Sequence, residues 1–170
     1  MTSIGDRAFT NRTSLTSIDI PAGVTSIGDR AFYGCTSLAS VTFAAGSQLA
    51  GIGGYEAFYE CTSLASIDIP AGVTYIGMFA FYGCTSLASV TFSAGSQLAI
   101  IYSEAFRGCT SLASITIPAS VTSCHDAFRG WTPSQTINIE GHASRAAVDA
   151  AWGGYYWRSN CNATINYLGQ

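Results

Sequence analysis

Lysine is absent from the chain, and all seven basic residues are arginines. Charged residues of both signs make up only 10%, and the formal net charge is −3. No basic stripe is available to track a phosphate backbone, which argues against nucleic acid as a partner. Long apolar runs are also missing. Hydrophobic residues reach 48% and the mean hydropathy is +0.29, yet no stretch approaches the ~18 unbroken apolar residues of a membrane span. The six cysteines contain no Cys-x-x-Cys pair, so zinc spacing is absent. Gly51-Ile-Gly-Gly54 lacks the lysine and the helix start of a phosphate-cradling loop. No cofactor or metal is expected. Residues 1–20 show no basic start followed by an apolar run, so no signal peptide is expected within them. The chain begins inside a repeat, and a longer natural chain is expected.

What the sequence does contain is self-similarity. The segment Val24-Thr-Ser-Ile-Gly-Asp-Arg-Ala-Phe-Tyr-Gly-Cys-Thr-Ser-Leu-Ala-Ser-Val-Thr-Phe43 recurs, with its anchor at Phe9, Phe32, Phe58, Phe81, Phe106 and Phe128. The anchors are 23, 26, 23, 25 and 22 residues apart, inside the roughly 20–29-residue range of leucine-rich repeats. A longer period of 49 residues relates Phe32 to Phe81 and Ile20 to Ile69. One turn ends in Ile-Pro-Ala-Gly and the next in the longer Phe-x-Ala-Gly-Ser-Gln-Leu-Ala, so the duplicated unit spans two turns.

Each turn carries a short alternating run, beginning with Ile18-Asp-Ile20 and Val41-Thr-Phe43 and ending with Ile137-Asn-Ile139. Alternation with β-branched residues predicts a strand with one buried face. One strand per turn, all in one direction, predicts a parallel sheet along a solenoid. The Ala-Phe segment is predicted to return the chain as a short helical or 3₁₀ turn, held by its neighbours. Three buried rows follow: the six anchor Phe; Leu15, Leu38, Leu64, Leu87 and Leu112; and Ile4, Ile27, Ile52, Ile76 and Ile101, continued by Cys124. The expected fold is an α/β repeat solenoid of leucine-rich-repeat type. Residues 1–139 form an array of about six turns, and residues 140–170 a C-terminal capping segment. In that segment Ser144 N-caps a short helix from Arg145 to Trp152, stopped by Gly153 and Gly154. Trp152, Tyr155, Tyr156 and Trp157 cover the last turn, and 162–168 adds a final strand.

The pattern Ala-Phe-x-x-Cys-x-x-Leu-x-x-Ile-x-Ile-Pro resembles the Treponema-type, or BspA-like, leucine-rich repeats over residues 1 to about 139. The tail from Trp152 to Tyr167 looks like those that close some treponemal members. The resemblance implies a bacterial protein that is secreted or exposed at the cell surface, with roles in adhesion to host proteins or to other cells. It implies no shared catalytic residues. The pattern is broken at Arg12, where Cys is expected, and at Trp131 and Ser134, where Cys and Leu are expected. These departures mark the ends of the array.

Cys35, Cys61, Cys84 and Cys109 occupy one repeat position and read as a buried thiol row. Cys124 fills an inward Ile position; whether it pairs with Cys161 is open, because sequence cannot supply disulfide geometry. Cys124-His125-Asp126 places three reactive types side by side, but strand neighbours point to opposite faces and do not converge. His142, Asp149 and Cys161 share the tail and could meet as a Cys–His nucleophile requires. Asp19 and Asp68 lie two rungs apart, roughly 10 Å at the ~4.8 Å strand spacing, near an inverting glycosidase pair. Thr42 lies between them on an open face, and the solvated reading is preferred. No enzyme is expected.

Two outward surfaces remain. The strand residues that alternate with buried ones are Ser17, Asp19, Ser40, Thr42, Ser66, Asp68, Ser89, Thr91, Ser114 and Thr116, followed by Thr136 and Asn138. They form a hydroxyl-rich, weakly acidic face. Such a face keeps a sheet wet, and in solenoids it also serves recognition. The second surface is the residue after each anchor: Thr10, Tyr33, Tyr59, Tyr82, Arg107 and Arg129. Tyr and Arg are interface hot-spot types, or the rings lie flat and cover apolar surface. A protein ligand, such as a host extracellular protein, is the first expectation. Self-association through the N-terminal turn, with its apolar Ile4, Phe9, Leu15 and Ile18, is the second. Ice binding by the Ser/Thr array is a distant third, since the rows are short and interrupted by Asp.

Overall fold

The computed structural model describes residues 2–169, and among these the side chains of all but Tyr155 and Tyr156. The two tyrosines expected to cover the last turn therefore lie, as side chains, outside the described residues. The chain winds as a parallel β-solenoid of about six turns with little helix. In chain order the elements are β1 (Ser3–Ile4), β2 (Ser17–Ile20), β3 (Ser26–Ile27), β4 (Ser40–Phe43), β5 (Gly51–Tyr55), β6 (Ser66–Ile69) and β7 (Tyr75–Met78). Then come β8 (Ser89–Phe92), β9 (Ile100–Ile101), β10 (Ser114–Ile117), β11 (Ser123–Cys124) and β12 (Thr136–Glu140). Helix α1 (Arg145–Ala151), a 3₁₀ turn (Tyr155–Arg158) and β13 (Thr164–Leu168) complete the chain.

The even-numbered strands are the alternating runs expected from sequence, and β2 with β4 and β6 with β8 are in full register: Ile18 beside Val41, Asp19 beside Thr42, Ile67 beside Val90. The Ile row is more than a buried row. It is a second strand in every turn, and β1, β3, β5, β7, β9 and β11 form one continuous six-stranded parallel sheet. Each turn thus has two strand segments. Between β5 and β7 the backbones approach so closely that a Cβ on Gly77 would stand 1.6 Å from the Gly53 carbonyl oxygen, so only glycine fits there.

The helical or 3₁₀ return in each repeat does not form. The Ala-Phe segment is a run of hydrogen-bonded turns. Its residues alternate between a bond three residues back (Tyr33 N to Arg30 O, 3.1 Å) and a bond to the next turn (Phe32 N to Ala57 O, 2.8 Å; Gly34 N to Tyr59 O, 2.8 Å). This alternation needs a left-handed residue twice per turn, four residues apart. Arg30 and Gly34 have φ of 55° and 65°, and Glu56 and Glu60 both 53°. A helix cannot continue through such residues. The cost of placing side chains there is offset by the inter-turn bonds, which a helix would have kept internal.

Inside the coil the anchor rings stack nearly face to face, 4.9–5.6 Å apart from Phe9 to Phe128. Five are fully buried, while Phe9 in the first turn is half-buried, as is Leu15. The cysteine row lies behind the rings. Each thiol donates to the carbonyl of the anchor one turn earlier: Cys35 to Phe9 at 3.0 Å, Cys61 to Phe32 and Cys84 to Phe58 at 3.2 Å, Cys109 to Phe81 at 3.1 Å. Trp131 replaces cysteine in the next turn, and its indole N–H donates to the Phe106 carbonyl at 3.0 Å. The departure in sequence preserves the bond. Burial pushes every one of these thiols up, Cys109 to about 12, so they stay protonated and can donate. Cys124 and Cys161 are both free and buried.

Beyond Glu140, Ser144 caps α1 by accepting from the Ala147 N–H at 3.3 Å. Trp152 donates to the Val121 carbonyl at 2.7 Å, and Trp157 packs edge-on against it at 5.3 Å. Strand β13 pairs in parallel with β12.

Candidate functional site

The exposed residues of β2, β4, β6, β8 and β10 form a single outward face, and all ten residues named for it in sequence are exposed. Thr136 and Asn138 of β12 are half-buried. The face is cross-linked by its own side chains. The Thr42 hydroxyl donates to the Asp19 carboxylate, and the Thr91 hydroxyl to Asp68. Further along, Asn166 donates to Asn138 at 2.9 Å. The two aspartates are therefore each engaged by a threonine one turn on. Nothing encloses them, and no acid–base pair forms.

This face is not continuous. Strands β2, β4, β6 and β8 form one sheet and β10, β12 and β13 another, with no pairing between β8 and β10. Between β4 and β6 only Ser40 and Ser66 are in register. The physical reason lies at the strand ends. Where β2 meets β4, the Ala44 N–H donates to the Ile20 carbonyl, and where β6 meets β8, the Ser93 N–H donates to Ile69, both at 3.0 Å. The same position after β6 is Pro70 and after β10 is Pro118. Proline has no N–H, so the Phe43 and Phe92 carbonyls lose that ladder bond. The longer loops after Phe43 and Phe92 abut these same openings. Grooves of about 400 and 650 Å³ result. The first is lined by Thr42, Phe43, Asp68 and Pro70, the second by Thr91, Phe92, Thr116, Pro118, Ser120 and Glu140, among others. Sequence reading registered the alternating turn lengths and the prolines but did not connect them to an opening of the sheet. The missing N–H was the available signal.

The tyrosine stripe is a pile of rings. Tyr33, Tyr59 and Tyr82 stack at 4.9 and 4.7 Å, nearly parallel and half-buried. Burial raises the Tyr59 phenol pKa. Arginines close the pile at both ends: Arg30 lies 5.9 Å from the Tyr33 ring and Arg107 5.6 Å from that of Tyr82. Arg107 and Arg129 both bind the largely buried Glu104, at 2.8 and 3.1 Å, and Arg30 binds Glu56 at 2.6 Å. The polar ends of this stripe are thus engaged within the protein.

The reactive triplets are dispersed. Cys124 is buried, His125 is exposed and touches Ser123 at 2.9 Å, and Asp126 accepts from the Ser159 N–H at 3.1 Å. In the tail, Asp149 holds Arg145 and Trp157, His142 lies edge-on to Trp152, and burial raises the Cys161 thiol. Among the described residues no group of three or more His, Cys, Asp or Glu could hold a metal ion, and no helix is long and apolar enough to cross a membrane.

The model of the BspA type leucine rich repeat region matches residues 2–130 in six copies. Three solved structures share the fold. The pneumococcal vaccine antigen PcpA has a TM-score of 0.74 at 30% identity, over 86% of this chain and 39% of its own. The T. pallidum leucine rich repeat protein has a TM-score of 0.70 at 25% identity, over 96% of this chain and 81% of its own. A leucine rich cell surface protein from Faecalibacterium prausnitzii has a TM-score of 0.57 at 29% identity, over all of this chain and 52% of its own. The chain spans about two-fifths of the pneumococcal antigen. It matches no curated protein. No enzymatic family is indicated.

Proposed function

The chain belongs to the BspA-type leucine-rich-repeat family, and from that premise we propose that it is a bacterial surface or secreted module that binds protein. Its target is a protein of the host or of a neighbouring cell, and its role is adhesion. The observation that carries this reading is the outward strand face: ten exposed, hydroxyl-rich positions on five successive turns, opened by two grooves. Extended solenoid faces of this kind serve recognition. Two of the structurally similar proteins, a vaccine antigen and a cell surface protein, support a surface location. The stacked tyrosines and their arginines take part at the edge, with less freedom because Glu104 and Glu56 hold the arginines. Residues 140–170 act as the cap that covers the last turn of a repeat array at 1–139.

The test is surface plasmon resonance against a panel of immobilised extracellular proteins, with Ser40→Arg, Ser89→Arg and Ser114→Arg on the face and Tyr33→Ser on the stripe. The face variants are expected to lose binding while keeping the melting temperature. Unchanged binding in all three would overturn the reading. A second reading, self-association, rests on the half-buried Phe9, Leu15 and Ile18 of the first turn. A monomeric mass across concentration by light scattering removes it.

A further inference from the structure

The two grooves on the strand face share a ring and a proline at equivalent positions. Phe43 and Phe92 are 49 residues apart, the two-turn period, and each is half-buried beside a proline, Pro70 or Pro118. Successive anchor rings show the rise per turn, 4.9–5.6 Å. Two strand spacings place the grooves about 10 Å apart along the solenoid axis. Neither groove is lined by an arginine, and each has one exposed acidic residue: Asp68 of β6 in the first and, not at the equivalent position, Glu140 of β12 in the second, three turns on. In each, proline leaves a strand-end carbonyl, that of Phe43 or of Phe92, without its ladder N–H. In the second, Ser120 carries a buried hydroxyl with no hydrogen-bond partner.

These features select a ligand by spacing and by charge. Alternate residues of a β-strand repeat every ~6.7 Å, which does not match. One turn of polyproline II, three residues of 3.1 Å, repeats every ~9.3 Å, which does. A half-buried ring flanked by small apolar residues is the kind of surface on which proline-rich segments dock, and their preformed helix loses little entropy on binding. Carboxylates without a neighbouring cation favour a basic side chain. A guanidinium also has donors to spare for the unpaired carbonyl and for Ser120. We propose that the paired grooves bind a basic, proline-rich segment of a partner protein in the polyproline II conformation, with every third residue entering a groove. The segment lies across the strands and adds none to the sheet. This deepens the reading of the strand face as the protein-binding face and rests on it.

The experiment titrates a fluorescein-labelled peptide of five Pro-Pro-Arg repeats with the whole chain, followed by fluorescence anisotropy. Two peptides serve as controls: five Pro-Pro-Glu repeats, and a peptide of the same composition with irregular arginine spacing. The Phe43→Ile/Phe92→Ile double variant removes both rings and keeps the fold, because Ile20, Ile69, Ile117 and Ile139 fill this position in other turns. Asp68→Lys/Glu140→Lys, both exposed, tests the charge independently of the core. The Pro-Pro-Arg peptide is expected to bind saturably. Binding should weaken about tenfold or more in either double variant and for either control, because one ligand then loses two linked sites. Equal binding of the irregular peptide, unchanged binding in both variants, or no saturation at millimolar peptide would overturn the proposal. So would a second copy of the chain in the grooves, seen as a dimer lost in the Phe→Ile variant. Should the peptide fail while Ser40→Arg and Ser89→Arg still abolish binding to a partner protein, the face reading stands and only this proposal falls.

Discussion

The two sheets of this solenoid are built from the same turns, yet one is unbroken and the other splits. The Ile-row sheet runs through six turns without interruption. The outward sheet loosens between β4 and β6 and parts between β8 and β10. The Ile-row strands end in residues that keep their N–H, and their backbones close on each other wherever glycine allows. Proline follows the outward strands in alternate turns, and at Pro70 and Pro118 it faces a turn with a longer loop. A solenoid can thus carry a rigid side and a grooved side with one repeat, provided the repeat is doubled and the two copies differ at one donor and in the length of one loop.

Both sheets depend on the core they share. Phe81 is fully buried between the Phe58 and Phe106 rings. Phe81→Ala should cost about 3–5 kcal/mol and lower the melting temperature by roughly 10 °C. A variant that melts like the wild type would contradict the stacked core. The rigid sheet has its own weak point in Gly77, where any Cβ meets the Gly53 carbonyl. Gly77→Ala should cost roughly 2 kcal/mol through forced backbone movement. Its hydrogen exchange should rise in β5 and β7 while β12 stays protected.

Pro118→Ala acts on the grooved side. It returns an N–H opposite the Phe92 carbonyl. The gain of about 1 kcal/mol from one hydrogen bond is offset by about 0.4–1 kcal/mol from the looser unfolded chain. Stability should hardly change, but the new amide at position 118 should be protected from exchange. If it exchanges freely, the long loop after Phe92 opens the sheet and the proline does not.

The smallest effect is pH-dependent and reports on the thiol row. Burial raises these thiols above their ordinary value of 9.0, Cys109 to about 12. The unfolded thiols lose protons from about pH 9 upward while the native ones keep theirs, so the unfolded state binds fewer protons and stability falls as pH rises. Their contribution is fully present below pH 9 and is lost progressively toward pH 12. Denaturant melts between pH 8 and 10.5 should show this decline. Cys84→Ala/Cys109→Ala should flatten it, and an equal slope in the variant would assign the decline elsewhere.

Much of the fold was legible because burial recurs at fixed spacing. The anchor Phe, the Leu and Ile rows and the alternating strands could be placed without coordinates, since only a coil with that period buries all of them together. The return segment was misread. Ala-Phe with short polar neighbours suits a helical turn locally, and nothing in Arg30 or Glu56 advertises a left-handed backbone. That conformation is held by bonds to the next turn, which a single repeat does not possess. The candidate site was half legible. Its exposed hydroxyls follow from alternation, and its grooves do not, because a groove depends on which strand end faces which proline.

By itself, the sequence determined the period, the identity of the buried rows, the direction of the strands and the two-turn alternation of loop and proline. These follow from side-chain burial and from the absence of an N–H on proline, both properties of residues. Folding alone settled that each turn carries two strands, that the Ala-Phe segment is a ladder of turns, and that the outward sheet opens into two grooves. Each of these is settled by hydrogen bonds between residues some 20 to 30 positions apart, and those bonds exist only once neighbouring turns have stacked.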